Sequence, residues 1–288
     1  MTDEILPKRD QLLGLLRSWK RVVVAFSGGV DSTVVARAAH EALGDQAIAI
    51  TADSPSVARA EIADATRLAE IIGIRHQIVR TQEFDNPAYL QNDGSRCYHC
   101  KSELYSRIET ILPSLGIDII CSGANLDDQG DYRPGLMAAA EHHVRHPLQE
   151  AQFTKNDVRA LARLWNLPVW DKPASPCLSS RIAPGLAVTP ERTYRVEAGE
   201  AYLRSQGLRE CRIRYHEGDL ARVELPIDQL SRLADPAFRE GLINQLKSLG
   251  FRFVTLDLEG FRSGSLNTLV PLEIRRHYER APSGVDGP

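Results

Sequence analysis

A glycine-rich turn between an apolar strand and a helix places the strongest constraint on this chain. Residues 22–26 form an uninterrupted apolar run, as expected of a strand buried on both faces. The run leads directly into Ser-Gly-Gly-Val-Asp-Ser-Thr at 27–33, and residues 34–43 have helical character. Glycines let backbone N–H groups approach an anion, and a helix N-terminus adds partial positive charge. The sequence therefore predicts a phosphate-binding loop.

The side chains of this loop indicate a nucleotide that binds together with a metal ion. Hydroxyl groups in the loop can donate hydrogen bonds to phosphate oxygens. A Walker A loop would carry a lysine after its second glycine, whereas this loop carries Asp31. A carboxylate beside phosphates requires a cation, so we predict ATP with Mg²⁺ supported by Asp31. The nucleotide-binding residues predicted in the loop are Ser27, Gly28, Gly29, Asp31, Ser32 and Thr33.

Beyond the loop, predicted strands and helices alternate. The strands cover 47–51, 76–79 and 118–122, and the helices between them cover 57–72 and 102–112. This alternation predicts an α/β fold with a doubly wound parallel sheet. Ligands of such sheets lie beyond the carboxyl ends of the strands. Asp53 and Gly123, which follow two predicted strands, therefore join the predicted nucleotide site.

Prolines mark the predicted domain boundary. Four prolines fall within 167–185, which predicts an ordered loop without a helix or strand of its own. We predict an ATP-binding domain at 1–185 and a smaller α+β domain at 186–278, which serves substrate binding or oligomerisation. The Pro- and Gly-rich tail at 279–288 is predicted to be disordered.

Composition narrows the class of protein. The 288 residues carry a net charge of −3, without the basic bias of a dedicated nucleic-acid binder, although 204–214 could form a local basic patch. No run approaches the roughly 20 apolar residues of a membrane span. The N-terminus lacks the apolar segment of a signal peptide. We therefore expect a cytoplasmic protein with no membrane partner and no nucleic-acid partner.

The five cysteines are an odd number, which argues against a disulfide framework. Cys97 and Cys100 form a C-x-x-C just before a predicted helix. Cys177 lies in the proline-braced loop, between Lys172 and Arg181, which would favour its thiolate. Three thiolates suit a [4Fe-4S] cluster with one open iron. A zinc site completed by a histidine or a water is the alternative. Cys121 reads as a core residue, and Cys211 is assigned no role.

Longer motifs resemble one known family. They are Ser-Gly-Ala-Asn-Leu-Asp-Asp at 122–128, Asp-Tyr-Arg-Pro-Gly at 131–135, Cys-Leu-Ser-Ser-Arg at 177–181, Arg-Ile-Arg at 212–214, Ala-Arg-Val-Glu at 221–224 and Gly-Phe-Arg-Ser-Gly-Ser-Leu-Asn at 260–267. Together with the loop, these motifs resemble the LarE family of the PP-loop ATP pyrophosphatase superfamily, over nearly the whole chain. The resemblance implies cleavage of ATP between its α- and β-phosphates and adenylation of a carboxylate.

The resemblance also implies a substrate and a source of sulfur. Enzymes similar to LarE convert a carboxylate of pyridinium-3,5-biscarboxylic acid mononucleotide to a thiocarboxylate, during synthesis of the nickel-pincer nucleotide cofactor. In some members one cysteine, matching Cys177, gives up its own sulfur. Members with three cysteines are thought to hold a [4Fe-4S] cluster, and this chain matches that type through Cys97, Cys100 and Cys177. An external sulfur donor and a homohexamer are further implications.

The predicted catalytic residues are Cys177 and Asp31. A substrate with carboxylates and a phosphate needs guanidinium partners. The substrate-binding residues predicted from the motifs and the resemblance are Ser180, Arg181, Glu200, Arg212 and Arg214. For the two strand arginines a solvated edge is the alternative, and for Glu200 a surface helix position. The acidic residues Asp127, Asp128 and Asp131 either bind Mg²⁺ or cap a helix.

Three other functions remain open from the sequence, and the most distant of them is a nucleotide sensor without enzymatic activity. A tRNA thiolase also combines a PP-loop with cysteines, and it would need a nucleic-acid surface. A ligase that uses ammonia in the manner of an amidotransferase would leave the cysteines a structural role.

Overall fold

A computed structural model describes residues 2–128, 134–173, 175–262, 265–270 and 272–274. Asp131 and the predicted tail at 279–288 lie outside the described residues. The described residues group into two compact units. The first contains the chain up to Glu83 together with Cys97–Ser175, and the second contains Phe84–Arg96 and Pro176–Ile274.

The first unit is built on a parallel sheet. Its strands are β1 (Val22–Ala25), β2 (Ala47–Asp53), β3 (Arg75–Arg80) and β4 (Ile120–Cys121). They lie in the order β3-β2-β1-β4, and every pairing is parallel. The larger helices are α1 (Thr2–Trp19), α2 (Val30–Leu43), α3 (Arg59–Ile72), α5 (Arg96–Leu115) and α8 (Lys155–Leu164); shorter ones are α6 (Pro134–Glu141) and α7 (Pro147–Glu150), whereas the short helix α4 (Pro87–Gln91) belongs to the second unit. The predicted α/β fold with a parallel sheet is confirmed.

The central strand β1 is buried on both faces, as its apolar run predicts. Val22 and Val24 belong to a hydrophobic cluster formed with helices α1, α2, α3 and α8. Val23 and Ala25 belong to a second cluster, formed mainly with α5 and α6. Successive side chains of a strand point to opposite faces, so β1 supplies both clusters in alternation. Burial on both sides holds the end of β1, and the loop that follows it, in a fixed place.

The second unit contains a smaller mixed sheet. Its elements are α9 (Pro190–Ser205), β5 (Arg212–His216), β6 (Leu220–Glu224), α10 (Pro236–Ser248) and β7 (Phe253–Leu256). The strand order is β5-β6-β7, in which β5 and β6 are antiparallel and β6 and β7 are parallel. This is the α+β character predicted for the C-terminal part of the chain.

The second unit also takes in a segment that the sequence did not connect with it. The side chain of Asn92 is buried and donates to the carbonyl oxygens of Ile182, Ala183 and Leu186 at 3.2, 3.0 and 3.1 Å. These bonds tie 84–96 to the chain that follows Pro176. Each compact unit consists of segments that are separated in the sequence, so the units do not meet at a single boundary. The domain boundary predicted at residue 185 therefore stays a prediction.

Two predictions about local secondary structure were wrong, one about where a helix begins and one about a loop without elements. Helix α5 begins at Arg96, so Cys97 and Cys100 lie in its first turn and not before it. Asp93 accepts the N–H of Ser95 at 2.9 Å, and this local turn places the start of the helix earlier than the apolar pattern indicated. The proline-rich segment contains a short 3₁₀ helix, Leu178–Arg181.

In the part of the chain described, no helix has the length and apolar character needed to cross a bilayer.

Candidate functional site

The glycine-rich turn joins the carboxyl end of β1 to the N-terminus of α2. Gly28 has a φ of +69°, and a Cβ there would lie 3.2 Å from the Cα and Cβ of Ala65 on α3. Both the backbone angle and the close contact therefore require glycine. Gly29 is the N-cap of α2 and is extended, with no side-chain cap. The first N–H groups of a helix have no acceptor within the helix, so α2 presents uncapped donors at this turn.

The hydroxyl groups of the loop brace its backbone. The Ser32 Oγ donates to the Gly29 carbonyl at 3.1 Å, and the Thr33 Oγ1 donates to the same carbonyl at 2.8 Å. The Ser27 N–H donates to the Ser32 Oγ at 3.2 Å, and the two serine hydroxyls are 3.1 Å apart. Ser27 is exposed, whereas Ser32 and Thr33 are buried. In this structure the two buried hydroxyls, together with the N–H groups of Ser27 and Gly29, hold the shape of the loop. The first N–H groups of α2, which have no side-chain cap, are the donors that an anion can use.

Asp31 lies in the first turn of α2 and is held from two sides. Its Oδ1 accepts a hydrogen bond from the Asn125 side chain at 3.0 Å, and its Oδ2 pairs with the Lys155 ammonium at 2.5 Å. Lys155 is the first residue of α8, and sequence reasoning missed it. No local signal connects it to a loop 124 residues earlier. The fold therefore places a lysine beside the loop, although the loop sequence itself contains none.

The turn after β4 touches the same helix end. A Cβ at Gly123 would lie 2.6 Å from the backbone nitrogen of Ser32 and 2.9 Å from the carbonyl carbon of Asp31. Only a glycine permits this approach, which brings Asn125 to Asp31. The Ser122 hydroxyl lies 2.9 Å from Nδ1 of His146, and burial lowers the pKa of that imidazole.

The other predicted polar residues near this edge have structural partners. Asp127 accepts the backbone N–H of Lys155 at 2.9 Å, and Asp128 accepts the N–H of Asn125 at 2.9 Å. Asp127 thus caps the start of α8, one of the two roles that its sequence predicts, and Asp128 closes the turn at residues 125–128. Asp53, at the end of β2, pairs with Arg59 at 2.5 Å.

The five cysteines separate into two classes by exposure. Cys97 is exposed, and Cys100 and Cys177 are half-buried. Cys121 and Cys211 are fully buried, so the predicted core role of Cys121 is confirmed. Burial raises the pKa of the Cys121 thiol far above its usual range and that of Cys211 to about 11. Within the described ranges, no group of three or more His, Cys, Asp or Glu side chains is arranged to hold a metal ion.

Lys172, expected to favour the Cys177 thiolate, has other partners. Its ammonium lies 2.7 Å from Glu61 and 3.3 Å from Asp64 on α3. Two carboxylates balance its charge locally. The effect of Lys172 on the Cys177 thiolate therefore stays a prediction, and the structure adds two carboxylate partners that were not expected.

Arg181, in contrast, organises the turn that carries Cys177. Its guanidinium donates to the Cys177 carbonyl at 2.9 Å and to the Ser180 hydroxyl at 3.2 Å. It also forms a two-point ion pair with Glu200 on α9, at 3.0 and 3.3 Å, with 3% and 1% of the two side chains exposed. The alternative reading of Glu200 as a surface carboxylate is therefore wrong. The pair fixes Cys177 relative to the second unit's longest helix.

The two strand arginines of β5 are buried. Arg214 pairs with Glu224 of β6 at 2.8 Å and donates to the Ser180 carbonyl at 3.4 Å. Arg212 lies 4.9 Å from the ring centre of Phe261. The solvated-edge alternative is therefore wrong for both. We call the set Arg181, Glu200, Arg212, Arg214 and Glu224 the arginine cluster.

The arginine cluster carries a local excess of positive charge at Arg212. Burial, followed by the neighbouring Arg181 guanidinium, lowers the pKa of Arg212, and Arg214 adds to the effect. A lowered arginine pKa means that the surroundings disfavour the cation. An anion placed beside Arg212 would favour the charged guanidinium and raise its pKa again. The structure thus brings the predicted substrate residues Arg181, Glu200, Arg212 and Arg214 together, and their role in substrate binding stays a prediction.

Comparison with known proteins supports a single family. A family model described as NAD synthase matches residues 16–107, which includes the phosphate loop. An uncharacterized protein of Synechocystis, slr1717, is 46% identical over 91% of this chain and 98% of its own length. The pyridinium-3,5-bisthiocarboxylic acid mononucleotide synthase of Lactiplantibacillus plantarum is 41% identical over 90% of this chain and 94% of its own length.

A more distant similarity connects the chain with tRNA-specific 2-thiouridylases. A tRNA-specific 2-thiouridylase, MnmA of Azorhizobium caulinodans, is 31% identical over 63% of this chain and 56% of its own length. The similarity to the L. plantarum synthase is higher and extends over nearly the whole of both proteins. The chain therefore belongs to the LarE family and is an ATP-dependent sulfurtransferase of the PP-loop superfamily.

Proposed function

We propose that this enzyme adenylates a carboxylate of pyridinium-3,5-biscarboxylic acid mononucleotide and converts it to a thiocarboxylate, in the synthesis of the nickel-pincer nucleotide cofactor. The observation that carries the proposal is the 41% identity with a relative named as the synthase of the bisthiocarboxylic product. Conversion of a biscarboxylic acid into that product replaces carboxylate oxygen with sulfur, and a carboxylate oxygen leaves only after activation. The phosphate loop supplies the nucleotide site that such activation requires.

The activation step uses the loop described above. A carboxylate oxygen of the substrate attacks the α-phosphorus of ATP, the bond from that phosphorus to the bridging oxygen breaks, and pyrophosphate leaves. Uncapped N–H groups at the start of α2, and the ammonium of Lys155, would stabilise the negative charge on the leaving group. The carboxylate of Asp31, which the Asn125 side-chain amide orients, suits Mg²⁺, and that ion when bound would neutralise pyrophosphate.

The role of Asp31 has a direct test. Replacement of Asp31 by Ala removes the carboxylate proposed to hold Mg²⁺, so pyrophosphate release should fall by at least tenfold and lose its dependence on Mg²⁺. A variant that released pyrophosphate at the wild-type rate would contradict the assignment. The ion pair of Arg9 with Asp10, in α1, offers an Asp10→Ala control that should leave the rate unchanged.

The arginine cluster is proposed to bind the anionic substrate. Arg181, Arg212 and Arg214 would act as guanidinium donors to carboxylate or phosphate groups. Glu200 and Glu224 would position two of them. Glu200 pairs with Arg181 and also with Arg204, and Glu224 pairs with Arg214 and also with Arg222. The lowered pKa of Arg212 supports an anion at this point.

Sulfur transfer is proposed to depend on Cys97, Cys100 and Cys177. These are the three accessible thiols, and the first two lie three residues apart on one turn of α5. The described residues contain no preformed group of three metal ligands, and we propose that these cysteines hold a [4Fe-4S] cluster, which would supply an open iron able to hold sulfide. Attack of a sulfur nucleophile on the acyl carbon forms the C–S bond, breaks the bond to the AMP oxygen and releases AMP. If Cys177 itself attacked, loss of its Cα proton and cleavage of its Cβ–S bond would release the thiocarboxylate and leave dehydroalanine at position 177.

Iron and acid-labile sulfide analysis of protein purified without oxygen tests the sulfur proposal. We expect about four irons per chain, with a visible absorbance band, lost when Cys97, Cys100 or Cys177 becomes Ala. Cys121→Ala and Cys211→Ala are matched controls that should retain iron. Protein that stays free of iron after reconstitution would refute the cluster. The mass of protein recovered after turnover would then show whether Cys177 loses its sulfur.

A tRNA thiolase is the second candidate, favoured by the similarity to the 2-thiouridylase. Binding of bulk tRNA with a steep dependence on salt concentration would support it. Sulfur incorporation into the pyridinium substrate, with no such binding, would exclude it.

The assembly state and the sulfur donor complete the proposal. We propose a homohexamer, which mass photometry of the purified protein tests directly. An external sulfide source is proposed to support repeated turnover. More than one thiocarboxylate formed per chain, only when sulfide is added, is the expected result.

A further inference from the structure

A chain of hydrogen bonds reaches the phosphate loop from the edge strand of the central sheet. The Thr51 hydroxyl on β2 donates to the carbonyl oxygen of Phe26 at 2.7 Å. The Nε2 atom of His76 on β3 lies 2.8 Å from the same hydroxyl oxygen. His76 pairs in register with Ala49, two residues before Thr51. The side chains of Thr51 and His76 therefore lie on one face of the sheet.

The number of hydrogens decides the direction of each bond. A threonine hydroxyl has one hydrogen, and the carbonyl oxygen of Phe26 can only accept. The hydroxyl oxygen must then accept from His76, so the Nε2 atom carries a hydrogen. The geometry therefore requires a hydrogen on Nε2. Burial lowers the pKa of His76, which favours the neutral tautomer that carries its hydrogen there.

The bond to Phe26 ends at the peptide that opens the phosphate loop. The Phe26 carbonyl is held by Thr51, and the N–H on the other side of that peptide, at Ser27, donates to the Ser32 hydroxyl at 3.2 Å. Both polar atoms of the peptide are thus fixed. Thr51 is buried, with 3% of its surface exposed, so water cannot readily replace its hydroxyl. Rotation of this peptide would turn Ser27 and Gly28, which follow it directly.

We propose that His76 is a positioning residue of the phosphate loop, acting through Thr51 to fix the Phe26–Ser27 peptide and so the direction of the loop N–H groups toward the pyrophosphate of ATP. The inference rests on the proposed ATP-binding role of the loop. His76 is assigned no contact with the nucleotide.

Substitutions that keep or remove the donor test the proposal. His76→Leu removes the donor, and we expect ATP affinity, measured by calorimetric titration of the full chain, to fall about three- to tenfold. His76→Gln can donate from its own Nε2 atom and should restore affinity to within about twofold of wild type. His142, partly buried and 2.9 Å from Glu109, provides the matched control His142→Leu, which should bind ATP as wild type does.

A spectroscopic measurement tests the same geometry without ATP. The ¹⁵N chemical shifts of the His76 ring at pH 7.5, assigned by comparison with the His76→Gln spectrum, should report protonation on Nε2. Protonation on Nδ1 would overturn the inference, as would wild-type ATP affinity in the His76→Leu variant. If wild-type protein failed to bind ATP, the proposed function would fall and the inference with it. The two failures are therefore distinguishable.

Discussion

Gly123→Ala is the substitution for which the structure gives the clearest expectation. The added Cβ would lie 2.6 Å from the Ser32 nitrogen, about 0.8 Å closer than ordinary contact. The atoms that it meets belong to the backbone of α2, so no side chain can rotate away. The turn after β4 and the first turn of α2 must therefore move apart.

The effect of this substitution on stability and on ATP affinity can be estimated. Overpacking of this kind destabilises by roughly 1–3 kcal/mol. For a chain of this size that lowers the melting temperature by about 2–10 °C. The displacement also moves the helix N–H groups and Asn125 away from their places around Asp31. Since one hydrogen bond to a charged group contributes about 1.5–3 kcal/mol, we expect ATP affinity to fall by at least tenfold.

The assay is calorimetric titration with ATP and Mg²⁺, together with thermal unfolding of the same samples. Gly14→Ala is the control, because a Cβ at that position in α1 meets nothing within 4 Å. There the same substitution should stabilise by roughly 0.5–1 kcal/mol and leave ATP affinity unchanged. A Gly123→Ala protein with wild-type affinity and wild-type melting temperature would refute the reasoning.

Three further predictions follow from charged groups. Lys155→Met removes the cation next to Asp31 and should weaken ATP binding about tenfold or more by calorimetry. Glu200→Gln leaves the buried Arg181 charge without its partner and should lower the free energy of unfolding by roughly 3–5 kcal/mol in urea titrations. That free energy should also fall as the pH is lowered from 7.5 to 5.5. Burial lowers the pKa of several histidines in the folded state, so the unfolded chain binds more protons in this range; the groups are His76, His146 and His216.

Matched variants separate these effects from general damage. Lys8→Met breaks a similar ion pair, with Asp157 at 2.6 Å, and should leave ATP affinity unchanged. Glu191→Gln affects a carboxylate that is 70% exposed and should cost no more than about 0.5 kcal/mol. Equal losses in variant and control would contradict the first two predictions. A double variant, His146→Gln with His216→Gln, should flatten the pH dependence, and an unchanged slope would contradict the third.

The phosphate loop could be predicted from the sequence because its determinants are local. An apolar run, two glycines and three hydroxyl residues within 22–33 specify a buried strand, a tight turn and a helix start. The alternation of strands and helices then predicts the parallel sheet. These features depend on neighbours along the chain, and the structure agrees with them.

Partners that are distant in sequence could not be predicted. Asp31 and Lys155 are 124 residues apart, and nothing in either segment indicates the other. The alternation of Arg212 and Arg214 predicts that they share a face of β5 but not whether that face is buried. This face of β5 is buried because tertiary packing places Glu224 of β6 and helix α9 next to it. The carbonyl groups that accept hydrogen bonds from Asn92 likewise lie about 90 residues later in the sequence.

The difference in exposure between the cysteines gives the protein an internal reference for thiol chemistry. A thiol reagent added to the folded chain should modify Cys97, Cys100 and Cys177, whereas the protonated and enclosed thiols of Cys121 and Cys211 react only when the fold opens. One titration therefore reports two properties. The fast fraction measures how many accessible sulfurs are engaged by a ligand, and the slow fraction measures the rate of opening. A preparation that lost its ligand and one that partly unfolded would differ in the class of thiol that gained reactivity.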